Sequence, residues 1–204
     1  MAGTIYQETA AFDAIHDALR YEAYAQIVGE PDAGQAKQRY DALYDRYGSN
    51  SAVFSSLGKA SDFWQHTFES LDLASVLQPD PEVSKALVRL SEVMPVSIFT
   101  NFKPQKIQSV LQILGIRRDI FTHILSGDDV SRRKPDLEGF KKMVEMSDLP
   151  PDQLIYVGDR VDVDIKPAKS VGMLTCLLWQ SSNEANFSAN NFRDVYNIIQ
   201  NGHL

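Results

Sequence analysis

A chain of 204 residues with 44% hydrophobic and 23% charged residues can bury a sizeable core and suits one domain with a smaller appendage. A net charge of -7 with no basic stripe argues against nucleic acid as a partner, and Arg132, Arg133 and Lys134 form too short a cluster to change that. There is no apolar signal region at the N-terminus and no apolar run near the roughly eighteen residues of a membrane span, so no membrane partner and a cytoplasmic setting are expected. The single Cys176 sits in the apolar run 173–179, where a buried structural thiol is the plainer reading than a nucleophile.

In chain order, residues 1–9 are brief and hard to place. Phe12, Ile15, Leu19, Ala23 and Ile27 then recur at helical spacing and stop near Gly29. A second helix is expected from Asp32 to Tyr47, ending at Gly48, and shorter helices over 49–77, broken at Gly58 and Ser61. Residues 10–77 thus read as wholly helical. Tyr21, Tyr24, Tyr40, Tyr44 and Tyr47 could form a stacking platform for a substrate, but aromatics at this spacing are first of all core.

The pattern changes at Pro79, Asp80 and Pro81, a turn with an N-cap and a favourable first helical residue. Beyond it, apolar runs at 96–99, 120–125, 154–157 and 173–178 read as strands alternating with helices closed by Gly115 and Gly172, and a helix is expected from about Asp164. Such alternation implies parallel βαβ units with every strand's carboxyl end on one edge. The tail, with Asn183, Asn186, Asn190 and Asn191, reads as loop before a short helix near Val195.

Chemistry-bearing residues gather at the strand ends. Thr100 and Asn101 follow the first strand, Lys134 lies in a loop after the second, and Asp159, Asp162 and Asp164 follow the third within six residues. A hydroxyl, an amide, an ammonium and a carboxylate pair on one edge would suit a phosphoryl group with a divalent cation. Singly each has a plainer reading: Thr100 as a cap, Lys134 as a solvated loop lysine, and the acids as a solvated βα turn.

The segments SIFTN (97–101), RRKPD (132–136) and VGDRVDVDIKPAKSVGM (157–173) resemble the second, third and fourth motifs of the haloacid dehalogenase-like (HAD) superfamily. The resemblance implies an α/β fold, a Rossmann-like parallel sheet with helices on both faces and an inserted all-helical cap: core 1–9 and 78–204, cap 10–77. It implies that Thr100 binds phosphoryl oxygens, Lys134 neutralises nucleophile and phosphate, Asp159 ligates Mg²⁺ with Asp164 assisting, and Thr4 and Asn101 contact the substrate, a small phosphorylated molecule.

The departure lies at the start. The family's first strand ends in Asp-x-Asp-x-Thr, the first Asp attacking phosphorus and the second serving as acid and base. Gly3, Thr4 and Ile5 match the end of that motif, which puts Ala2 at the second acid's place and the nucleophile before Met1. Asp13 and Asp17 are nearby acids on a helix without the strand-end context. The chain as given is therefore expected to be inactive. The vacant central strand position is expected to be filled by a strand from another chain, by self-association, by a rearranged sheet or by upstream residues. Three readings follow: a HAD phosphatase with a truncated start, a HAD-like pseudoenzyme acting as a complex subunit, and a phosphonate-cleaving relative, whose branch has Ala at Ala2's place but needs a cap lysine, for which only Lys37 and Lys59 are present.

Overall fold

The computed structural model describes residues 3–7 and 9–200. Ala2, expected at the second acid's position, lies outside the described residues, as does Met1. The chain divides into two compact units, one of residues Thr9–Val76 and the other of Met1–Glu8 with Leu77–Leu204.

The first unit is helical: α1 (Ala10–Val28), α2 (Ala33–Tyr47), α3 (Asn50–Ser56) and α4 (Phe63–Glu69). Its boundaries are written in the caps. Thr9 accepts a hydrogen bond from the Phe12 N–H, and Asp32 from the Gln35 N–H. Gly29 and Gly48 close α1 and α2 in the left-handed region at φ 71° and 74°, where a side chain would be strained. The core joins Ala23, Tyr24, Ala36, Tyr40, Val53 and Phe54, with Tyr21 and Tyr44 packed around it. Most of the tyrosines are therefore packing residues; Tyr47 is exposed. The Arg20 guanidinium lies over Tyr21, Tyr40 and Tyr44 at 5.0, 5.5 and 5.4 Å, a cation–π stack that lets a charged residue border this aromatic core.

In the second unit, α5 (Pro81–Val93) is followed by β1 (Val96–Phe99), α6 (Pro104–Ile113), β2 (Phe121–Leu125), α7 (Glu138–Ser147), β3 (Ile155–Gly158), α8 (Lys166–Ser170), β4 (Leu174–Leu178), β5 (Phe187–Ala189) and α9 (Phe192–Gln200). All pairings are parallel: β1 with β2, β3 with β4, and β4 with β5. The fold is α/β with parallel sheets.

Three features differ from the sequence expectation. The Asn-rich tail contributes strand β5, too short and too polar at its flanks to show a periodicity; Asn186 starts it by accepting from the Thr175 N–H at 3.0 Å and the Thr175 hydroxyl at 2.9 Å. The helix expected from Asp164 begins instead as a π-helical turn, Val161–Ile165. Finally, the strands form two sheets rather than one, ordered β1-β2 and β3-β4-β5. Among the described residues β1 pairs only with β2 and β3 only with β4, and Ile155, Tyr156 and Val157 of β3 are half-buried where Thr175 to Leu178 of β4 are buried.

Phe99, Leu125, Phe140, Ala168 and Met173 form the core beside these strands. Helix α7 lies against β1 so closely that a Cβ on Gly139 would come 2.1 Å from Phe99 Cζ. Gly139→Ala is therefore expected to cost about 1–3 kcal/mol through overpacking, read as a lower urea midpoint; an unchanged midpoint would show that α7 can move off Phe99 freely.

Candidate active site

Strand β1 runs into Thr100, which is 4% exposed and whose N–H donates to the Leu125 carbonyl at 3.0 Å. Its hydroxyl accepts from the Phe102 N–H at 3.3 Å, turning the chain away from the strand. Asn101 clamps the next loop: its Oδ1 accepts from the Lys134 N–H at 2.9 Å and its Nδ2 donates to the Lys134 carbonyl at 3.1 Å. The Asn101 amide therefore holds Lys134 in place instead of projecting free donors. The Lys134–Pro135 peptide bond is cis.

The Lys134 side chain is 7% exposed, and its Nζ donates to Asp164 Oδ1 at 2.7 Å and to the Tyr156 hydroxyl at 2.9 Å. Asp164 reaches this lysine because the chain after β3 folds back. The N–H groups of Asp164 and Ile165 both donate to the Arg160 carbonyl, at 2.9 and 3.3 Å, and Asp164 Oδ2 accepts from the Arg160 N–H at 3.2 Å. π turns of this kind recur at functional sites. Gly158 makes room for it, since a Cβ there would lie 2.4 Å from Asp164 Cβ. Asp162, between the other two acids, is exposed and paired with Lys166 at 2.8 Å, outside this cluster.

Asp159 Oδ1 accepts from the Thr4 hydroxyl at 2.9 Å. Gly3 passes beneath it at φ +66°, and a Cβ there would come 2.3 Å from Asp159 Oδ2. The turn after β4 holds both partners: Trp179, itself at φ 67°, donates its indole N–H to the Gly3 carbonyl, and Gln180 Nε2 donates to the Asp159 carbonyl at 2.8 Å. Thr4, Lys134, Asp159 and Asp164 thus share one linked neighbourhood, while Thr100 and Asn101 border it through the loop that carries Lys134.

The two carboxylates are driven apart electrostatically. Burial opposes ionisation of Asp164, but the Lys134 ammonium outweighs it and holds the Asp164 carboxyl below the usual range. Burial likewise opposes charge on Lys134, and Asp164 and Tyr156 reverse that and raise it. Asp159 is compensated only in part: burial first, then the Asp164 charge, push its carboxyl up, against the Thr4 hydrogen bond and the Lys134 charge. A divalent cation would relieve that repulsion. Among the described residues no group of three or more His, Cys, Asp or Glu could hold a metal. The donors present still fit Mg²⁺, which keeps several waters and needs only one or two carboxylates beside substrate oxygens.

Sequence patterning missed Tyr156 and Trp179. Tyr156 carried a usable signal, because strand alternation puts residue 156 on the same face as Gly158, over which Asp164 folds. Trp179 carried none, since a left-handed tryptophan is not foreseeable from residue type.

Because the raised carboxyl of Asp159 weakens the folded state once pH climbs past the usual carboxylate range, Asp159→Asn is expected to raise the metal-free melting temperature at pH 7 by about 2–4 °C and to abolish any stabilisation by Mg²⁺. An unchanged metal-free midpoint with a retained magnesium shift would remove Asp159 from the site. Lys134→Met, which leaves Asp164 buried and unpaired, is expected to cost about 3–5 kcal/mol in urea unfolding; a loss below 1 kcal/mol, the value of an exposed pair, would contradict this burial.

The family model described as haloacid dehalogenase-like hydrolase matches residues 1–172. The chain is 29% identical over 143 residues to a glyceraldehyde 3-phosphate phosphatase of Methanocaldococcus jannaschii, covering 66% of this chain and 62% of that protein. It is 30% identical over 93 residues to a phosphoglycolate phosphatase of Escherichia coli, covering 45% of this chain and 36% of that one. The chain therefore spans less than two thirds of the length of these relatives. The solved structure of YfnB from Bacillus subtilis, bound to magnesium, superposes with a TM-score of 0.63 at 17% identity over 92% of each chain, a likeness of fold. With the family model spanning most of its length, this chain belongs to the haloacid dehalogenase-like hydrolase family.

Proposed function

We propose that this chain carries the phosphate- and magnesium-binding part of a HAD phosphatase acting on a small phosphomonoester. The observation that carries the reading is the buried Lys134–Asp164 pair beside the Asp159 carboxyl, which burial and the Asp164 charge push up: one ammonium for a phosphoryl group and one carboxylate for a cation, side by side. The glyceraldehyde 3-phosphate and phosphoglycolate phosphatases among the relatives support a small substrate.

In this reading Asp159 holds Mg²⁺, with Asp164 assisting while bound to Lys134. The ion, when bound, neutralises phosphate oxygens and polarises phosphorus toward attack. Lys134 supplies positive charge to the phosphate from a site where burial strengthens it. Thr4 orients the Asp159 carboxylate through its hydroxyl, and Asn101 fixes the Lys134 backbone. Thr100 stands at the end of β1, where its hydroxyl can reach phosphoryl oxygens. Gly3, Thr4 and Ile5 resemble the end of the family's first motif; without that motif's attacking carboxylate, the residues named here are expected to bind without turning over.

A second reading, a non-catalytic complex subunit, is favoured by the edges that β1 and β3 leave unpaired among the described residues, a template for a strand from a partner or a second copy. Phosphonate cleavage, suggested by Ala2, finds no support in the cap lysines. A Schiff-base lysine needs a lowered pKa, whereas Asp41 and Tyr21 raise that of Lys37, and Lys59 rests over the Phe63 ring at 5.7 Å.

The protein as given should release no phosphate from an aryl phosphate with Mg²⁺. A version extended upstream in frame through an apolar strand ending in Asp should do so, and should lose at least ~100-fold in kcat with Asp159→Asn. Turnover by the unextended chain that disappears in Asp159→Asn would refute the requirement for an upstream nucleophile. If the extended chain is inert and the unextended one runs in gel filtration well above 22.9 kDa, the subunit reading prevails.

A further inference from the structure

We propose that Tyr156 is a positioning residue for Lys134, fixing the rotation of its ammonium so that one N–H remains directed to a bound phosphoryl group. The inference rests on the phosphate-site reading above. A lysine ammonium has three N–H donors and rotates freely about its last carbon–nitrogen bond. A single acceptor sets that rotation only as firmly as one hydrogen bond, whereas two separate acceptors hold it together. Lys134 has two among the described residues: Asp164 Oδ1 at 2.7 Å and the Tyr156 hydroxyl at 2.9 Å. The third N–H is what a phosphoryl oxygen would take.

The phenol suits this task better than another carboxylate. Because the ammonium accepts nothing, the Tyr156 oxygen must be the acceptor in their contact. Its own proton has only distant acceptors, Asp164 Oδ1 at 3.4 Å and the Phe99 carbonyl at 3.5 Å, so the Lys134 bond is its closest. A phenol is uncharged at neutral pH. It therefore adds an acceptor without adding negative charge, which would repel phosphate. Its ring cannot swing away: Phe140 contacts it at 5.0 Å and 60°, and Phe99 at 6.4 Å and 74°. The ammonium also lies 5.3 Å from the Phe99 ring, a cation–π contact on that side.

Isothermal titration of the full chain with inorganic phosphate in magnesium buffer, and with Mg²⁺ alone, tests this. Tyr156→Phe is expected to weaken phosphate binding about tenfold, to leave the Mg²⁺ Kd within about twofold, and to have no further effect on phosphate in a Lys134→Gln background. A purely structural role would weaken both ligands alike, or weaken phosphate equally in both backgrounds; either result overturns the proposal, as does unchanged phosphate affinity in Tyr156→Phe. Should Lys134→Gln not fold, the phosphate-against-magnesium split in Tyr156→Phe decides by itself. Wild-type protein that binds no phosphate overturns the phosphate-site reading and this inference with it, whereas wild-type binding untouched by Tyr156→Phe overturns this inference alone.

Discussion

An ammonium and a carboxylate withdrawn from water at 2.7 Å, Lys134 and Asp164, set the terms for the strand ends. Each charge alone would be several kcal/mol too costly to bury; together they are tolerable because they neutralise each other and most of their remaining polar atoms are met. Around them the local structure supplies those partners: Tyr156 beneath the ammonium, the Arg160 N–H on the second carboxylate oxygen, and Asn101 gripping the Lys134 backbone. Gly158 is required for the same reason, since any side chain there would displace Asp164 and leave Lys134 without its counter-charge.

That pairing also decides the character of the neighbouring acid. With Lys134 engaged by Asp164, Asp159 faces burial and a like charge that the Thr4 hydroxyl and the Lys134 charge offset only in part. Two carboxylates in one turn thereby acquire opposite dispositions, one pulled down by its ammonium and one pushed up by burial and like charge.

Much of the architecture was legible because it depends on local chemistry. Thr9, Asp32 and Asp80 cap helices, Gly29 and Gly48 end them, and Pro81 begins one; these follow from hydrogen-bonding inventory and backbone sterics. Short apolar runs became β1 to β4 close to the expected limits. Strand β5 was hidden, because its pairing depends on Asn186 reaching Thr175 across the sheet, not on a pattern of its own. The separation of β1-β2 from β3-β4-β5 was equally invisible, since parallel strands find their neighbours through distant crossovers rather than adjacent turns.

By itself the sequence determined which residue types stand at the strand ends, Thr100, Asn101, Lys134, Asp159 and Asp164, and that their order resembles the motifs of the haloacid dehalogenase-like superfamily, because strand limits and turn residues are local properties. Only the tertiary structure decided what each does with its polar atoms. It turned Asn101 toward the backbone of Lys134, joined Lys134 to Asp164 and Tyr156, and sent Asp162 to solvent. Residues 134, 156 and 164 meet through a loop, a strand face and a π turn, and the cost of burying charge, which no stretch of sequence records, is what requires them to meet.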